Sequence, residues 1–254
     1  MSFDVDATAY DRFMGRYSAP LAKRFVEFAR PDPHDSALDV GCGPGALTSE
    51  LIGLIGPGGV SAVDPSTRFV AAARQRHPEI DVRPASAERL PFASGTFGAC
   101  LAQLVVNFMP DPVAGIREML RVTARGGVTA ACVWDHGGGR GPLSPFWDAA
   151  RAADADLADE SALPGARRGD LATLFREAGA ADVEEGELAV RVVHADFDEW
   201  WEPYTLGVGT AGGYLAGLGR QQRARVLEAC REHLPDAPIR IEAVAWAART
   251  VVRP

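Results

Sequence analysis

The sequence predicts an α/β protein built on a doubly wound, mostly parallel sheet of seven strands, and three observations carry that expectation. Short apolar runs alternate with amphipathic stretches from residue 37 to residue 134, the order that lays parallel strands under crossover helices. A turn with glycines at 41, 43 and 45 stands directly behind the first of these runs. Two longer alternating runs end the chain with no simple crossover helix before the last, which suits an antiparallel pair closing one sheet edge.

Taken in order, residues 8–30 have the apolar spacing of one or two helices, with Tyr10, Phe13, Met14 and Tyr17 on one face, then Leu21, Phe25 and Phe28. "RPDPHDS" is a break. Ala37, Leu38 and Val40 read as the end of a buried first strand, and Ala46, Leu47, Leu51, Ile52 and Ile55 mark one face of the helix after the glycines. A second strand ends at Asp64. Ser66 can cap the next helix, whose buried side carries Phe69, Val70 and Ala73. The third strand is expected near Ile80 to Pro84, and the fourth from Phe97 to Val106. The amphipathic stretch "DPVAGIREMLRVTARGG" predicts a helix stopped by Gly126 and Gly127, with "VTAACVW" as the fifth strand. "ADVEEGELAVRVVHADF" and "PIRIEAVAWAARTVV" supply the last two. Residues 136–166 and 197–236 are left as helical, aromatic inserts. With no internal repeat or low-complexity linker, residues 1–254 are expected to form a single domain.

Composition narrows the function. The hydrophobic fraction of 47% and charged fraction of 24% suit a soluble globular protein. A net charge of −8, with no basic cluster beyond pairs such as Arg167 and Arg168, argues against nucleic acid as a partner. Cys42, Cys100, Cys132 and Cys230 lie far apart with no histidine at ligand spacing, so no metal site is expected and the thiols read as reduced. The acidic start "MSFDVDATAY" is unlike a signal peptide, and no run approaches the roughly 18 apolar residues of a membrane span. The expectation is a cytoplasmic protein with no membrane contact.

A strand, a glycine turn and a helix N-terminus together make a site for a polar ligand, because glycine permits positive φ and bare backbone approach. One ligand using such a turn is a dinucleotide. Gly41-x-Gly43-x-x-Ala46 satisfies the permissive form of its fingerprint, and Asp64 is the acid that follows. The other is S-adenosylmethionine, which carries an ammonium, a sulfonium and a ribose diol. Asp39 separates them: a carboxylate just ahead of the glycines repels a pyrophosphate and suits a cationic methionine end. Pro44 and the third glycine, Gly45, favour the same choice.

The run Asp39-Val40-Gly41-Cys42-Gly43-Pro44-Gly45 resembles the first motif of the class I S-adenosylmethionine-dependent methyltransferases, with Asp39, Gly41, Cys42, Gly43 and Gly45 as cofactor-binding positions. The resemblance implies that Asp64, in "SAVDPS", holds both ribose hydroxyls, with Pro65 beside it. It also sets Ser86, Ala87 and Glu88 beside the adenine, where serine replaces the family's usual aspartate. Gln103 and Leu104 would lie at the cofactor's edge, and Gly98 stands where the family commonly has aspartate. "YDRFMGRYSAPLA" resembles the lid helix of small-molecule members, so residues 1–30 are expected to form a lid in which Tyr10 and Arg16 cover the methionine end. The family's strand order is 3-2-1-4-5-7-6 with the seventh antiparallel.

The acceptor is less legible, beyond the expectation of a small molecule. If methyl transfer needs a base, His136 is the best placed histidine, since it follows the fifth strand at the sheet's C-terminal edge. Trp147, Trp200, Trp201 and Tyr204 in the inserts could line a substrate pocket or form the inserts' own core. The competing readings are a nicotinamide- or flavin-dependent oxidoreductase on a similar sheet, and a non-catalytic protein that binds adenosylmethionine.

Overall fold

Strand β1 (Ala37–Val40) is buried along its whole length in the interior of a seven-stranded sheet in the computed structural model, which describes residues 7–153 and 160–253. The first six residues of the expected lid, residues 154–159 of the first insert, and residue 254 lie outside the described residues. The sheet order is β3-β2-β1-β4-β5-β7-β6. The strands β2 (Val60–Asp64), β3 (Asp81–Pro84), β4 (Phe97–Gln103) and β5 (Thr123–Trp134) run parallel to their neighbours on the β1 side. Strand β7 (Ile239–Val251) is antiparallel to both β5 and β6 (Glu184–His194), as expected, although a helix over Arg220–His233 precedes it where the sequence suggested none.

The period of two along each strand divides the core. Ala37, Ala99, Leu101 and Val128 face one apolar layer, while Leu38, Val40, Cys100 and Val133 face the other. The first layer holds α2 (Arg16–Ala29), α3 (Ala46–Ile55) and both inserts; the second holds α5 (Pro112–Val122) and α7 (Asp170–Glu177). Helix α4 (Thr67–Arg76) sets Val70 and Ala73 against Ala62 and Val82. Its cap is Ser66, whose hydroxyl accepts from the Phe69 N–H at 3.4 Å.

The N-terminal arm begins with α1 (Ala7–Tyr10), widens into a π-helical turn at Asp11–Gly15, and continues as α2. Pro20 in α2 has no N–H for the carbonyl four residues back, and the π turn lies directly upstream of that missing bond.

Two boundaries differ from the sequence expectation. Strand β4 stops at Gln103, because Leu104 takes φ 62° and turns the chain. Helix α5 ends at Val122 and not at Gly126 and Gly127, which lie within β5. Thr123 enforces this: its buried hydroxyl bonds the Met119 carbonyl at 2.8 Å and lies 2.9 Å from the Thr129 hydroxyl, while its backbone pairs with Phe97.

The first insert carries α6 (Ser144–Ala153), and the second carries α8 (Phe197–Trp201), α9 (Gly209–Gly217) and α10 (Arg220–His233). Their aromatic residues pack on one another: Phe146 stacks on Tyr204 at 4.7 Å, and Trp200 lies 4.8 Å from Tyr204. Trp147, Trp200 and Tyr204 are buried in this core, and Trp201 is partly buried against it. No helix among the described residues is long and apolar enough to cross a membrane.

Candidate functional site

The C-terminal ends of β1, β2 and β4 surround a cleft of about 710 Å³, with the glycine turn as its floor. Tyr10 and Ser18 of the N-terminal arm and Leu163 of the first insert complete its rim.

All three turn glycines have positive φ, at 71°, 53° and 99° for Gly41, Gly43 and Gly45, yet they serve different ends. A Cβ on Gly41 would lie 2.5 Å from the Val105 side chain, and one on Gly45 would lie 3.0 Å from the His77 ring. At Gly43 a Cβ would meet nothing within 4 Å, since that side opens into the cleft. Gly41 and Cys42 both donate their N–H to the Val63 carbonyl, at 2.8 and 3.0 Å, which ties the turn to β2.

Two carboxylates face this floor. Asp64 accepts the Gly43 N–H at 2.9 Å and the Ser66 N–H at 2.8 Å, and burial raises its pKa. Asp39, 1% exposed, accepts the Thr48 hydroxyl at 2.6 Å. Burial pushes the Asp39 carboxyl up to about 7, against the Thr48 bond and with help from the Asp64 charge. The described wall has no lysine, arginine or histidine. Beyond Asp39 and Asp64 its only other carboxylate is Glu88, which accepts the Ser86 hydroxyl and the Asp111 N–H.

Of the residues the sequence singled out, Tyr10, Asp39, Gly41, Cys42, Gly43, Asp64, Pro65, Ser86, Ala87, Glu88, Gln103 and Leu104 all border the cleft. Tyr10 sits edge-on to Phe69 at 5.3 Å, and burial and the charges of Asp64 and Asp11 push its hydroxyl up to about 12. Burial also pushes the Cys42 thiol up.

Three of the expected site residues are directed elsewhere. Gly45 packs against His77 and starts α3. Arg16 turns to the second insert, where it pairs with Glu199 at 2.6 Å and lies 3.3 Å from His194 Nδ1. His136 is packed beside Glu160, Nδ1 to carboxylate 3.7 Å, and is not among the residues that border the cleft. Glu160 also accepts the Trp147 indole N–H at 3.0 Å and the Thr210 hydroxyl, joining the two inserts.

Sequence reasoning missed Asn107 and the bond Gln103 makes. Gln103 Nε2 donates to the Ser18 carbonyl at 3.0 Å, fixing the amide to α2 and leaving Oε1 buried without a partner. Asn107 Oδ1 is likewise buried and unpartnered on the same wall. A polar residue inside the apolar run "LVVNFM" was the only sequence signal for it. Unpartnered buried acceptors are costly, and a ligand that brings donors removes that cost. The departure at Gly98 has a packing reason: a Cβ there would fall 1.8 Å from the Asp35 carboxyl group, which fills that space.

Residues 38–131 match a family model described as a methyltransferase domain. The chain is similar to aklanonic acid methyltransferase DauC of Streptomyces sp. (strain C5), 27% identical over 132 residues, or 50% of this chain and 60% of the relative. It is also similar to nocamycin O-methyltransferase of Saccharothrix syringae, 31% identical over 138 residues, or 51% and 49% of the two chains. The chain thus spans about half the length of these curated relatives. Among solved structures it resembles geranyl diphosphate C-methyltransferase from Streptomyces coelicolor A3(2), with TM-score 0.53 and 16% identity over 94% of this chain and 80% of that one. That structure holds S-adenosyl-L-homocysteine.

Proposed function

We propose that this chain is a class I S-adenosylmethionine-dependent methyltransferase that transfers a methyl group from that cofactor to a small-molecule acceptor, a reading its match to a methyltransferase domain over residues 38–131 supports. The observation that carries the reading is a cleft open at Gly43, faced by two buried carboxylates and walled, among the described residues, without a cation. A pyrophosphate would meet Asp39 and Asp64 with no compensating charge, whereas an ammonium, a sulfonium and a diol suit them. The acceptor oxygens of Gln103 and Asn107 add to the fit with a donor-bearing ligand.

In this reading Asp64 holds the ribose hydroxyls, with Gly43 and Ser66 fixing its two oxygens. Asp39 faces the cationic methionine end, oriented by Thr48. Ser86, Ala87 and Glu88 border the adenine, Gln103 and Leu104 lie at the cofactor's edge, and Tyr10 closes the arm side. When bound, the cofactor supplies an electrophilic methyl on a sulfonium. The chain's part is to align an acceptor with that methyl and to exclude water, and alignment alone can carry much of the rate. Among the described residues the wall carries no histidine or lysine, which favours an acceptor whose nucleophilic atom is already free or readily deprotonated. The names of the two relatives support a small-molecule acceptor.

Hydrogen exchange tests the lid part of this assignment before any acceptor is known. Adenosylhomocysteine should slow exchange in residues 8–18 as well as around Gly41 to Gly45. Protection confined to the glycine turn would remove Tyr10 from the site.

Binding should also depend on pH through Asp39. Its carboxyl is held near 7 when the site is empty of cations, and a neighbouring ammonium favours the ionised form. Below pH 7 binding must therefore release a proton, and affinity should fall by up to about tenfold per pH unit. Above pH 7 the group is already ionised and this dependence should flatten. Calorimetry in two buffers of different ionisation heat measures the released proton, and its absence at pH 6 would detach Asp39 from the cationic end.

A further inference from the structure

Beyond the residues that border the cleft, we propose that Arg76 is a positioning residue that fastens the N-terminal arm and the glycine turn to each other. The proposal rests on the cofactor reading above. Arg76 is the last residue of α4 and does not itself border the cleft. Its Nη1 donates to the Pro44 carbonyl at 2.9 Å, and its Nη2 pairs with the Asp11 carboxylate. Pro44 belongs to the cleft floor, and Asp11 follows Tyr10, which belongs to the rim. One planar guanidinium thus holds a floor segment and a rim segment from behind, a geometry that its several donors in a fixed fork allow.

Other contacts make this link specific. Phe69, on the same helix as Arg76, lies under Tyr10. On its opposite flank the arm is tied to the second insert, where Arg12 contacts both carboxylate oxygens of Glu202 at 2.6 Å and Arg16 pairs with Glu199. Those pairs hold the arm but do not reach the glycine turn. The α4 side couples the arm to the floor, so Arg76 is placed to make arm closure and turn geometry interdependent. The pair is substantially exposed, at 44% for Arg76 and 33% for Asp11. Exposed pairs contribute little to folding, so the effect should appear in ligand retention and not in stability.

The test uses adenosylhomocysteine as probe. Arg76→Ala should bind it about fivefold more weakly, chiefly through faster release, with thermal stability near that of the parent. Ligand-induced protection of residues 8–18 should be largely lost. Arg76→Lys, a single point donor, should restore only part of the affinity. Asp11→Asn, which keeps the Pro44 bond, should lose protection of the arm with a smaller loss of affinity. If Arg76→Ala keeps parental affinity, release rate and protection, the proposal is overturned. If that variant does not fold, Asp11→Asn decides: undiminished protection of residues 8–18 overturns it. Failure of the parent protein itself to bind adenosylhomocysteine would instead count against the cofactor reading.

Discussion

Gly43→Val is expected to leave the fold standing while reducing adenosylhomocysteine binding by more than about 100-fold, the largest effect of any single change considered for this site. The reason lies in the different surroundings of the three turn glycines. A Cβ at 43 meets nothing within 4 Å, so the ligand-free protein bears only the strain of a β-branched residue at φ 53°, about 1–3 kcal/mol. The valine side chain would occupy the space through which a ligand reaches the backbone. Gly41→Ala makes the contrast: its Cβ would stand 2.5 Å from Val105, so it should lower the melting temperature more than Gly43→Val does. Calorimetric titration together with thermal melts separates the two outcomes. Parental binding by a folded Gly43→Val variant would place the cofactor elsewhere.

Asp64→Ala should weaken binding by about 2–3 kcal/mol, the scale of charge-assisted hydrogen bonds. That corresponds to roughly 30- to 150-fold in affinity. Asp64 also receives the Gly43 and Ser66 N–H groups, so the alanine variant loosens the turn as well as removing a ligand contact. Asp64→Asn separates these effects. It retains an acceptor oxygen for one of the two N–H groups but lacks the charge and the second acceptor. Stability restored without affinity would fix the role on the ribose diol, and affinity unchanged in either folded variant would remove that role.

The sheet was legible because its cause is local. Short apolar runs mark the parallel strands, and the two long alternating runs at the end of the chain pair antiparallel as expected, although α10 lies between them. The glycine turn and the acids at 39 and 64 were legible for the same reason, since each sits at a strand end whose direction the pattern fixes. What escaped depends on partners distant in sequence. Gly45 answers to His77, and Gly98 to Asp35. Arg16 has helical spacing suited to a lid, but Glu199 and His194 claim it from the other end of the chain. His136 follows the right strand, and Glu160 in the first insert fixes where its ring points. The aromatic inserts could have lined a pocket or filled a core; stacking of Phe146 on Tyr204 shows the core. The end of α5 was misplaced because glycines signal a stop, whereas the buried hydroxyl of Thr123 imposes an earlier one.

The π-helical turn at Asp11–Gly15 gives the arm a mechanical property of its own. Such a turn accommodates one residue more than an α turn, which is about 100° of winding about the axis. Tyr10 lies before it and Tyr17 after it, with the Tyr17 hydroxyl 2.9 Å from His194 Nε2 at the end of β6. Rewinding those five residues to α pitch would swing Tyr10 off Phe69 by that angle while Tyr17 kept its place. The tip can thus be dialled by pitch, with the rest of the rod acting as its bearing.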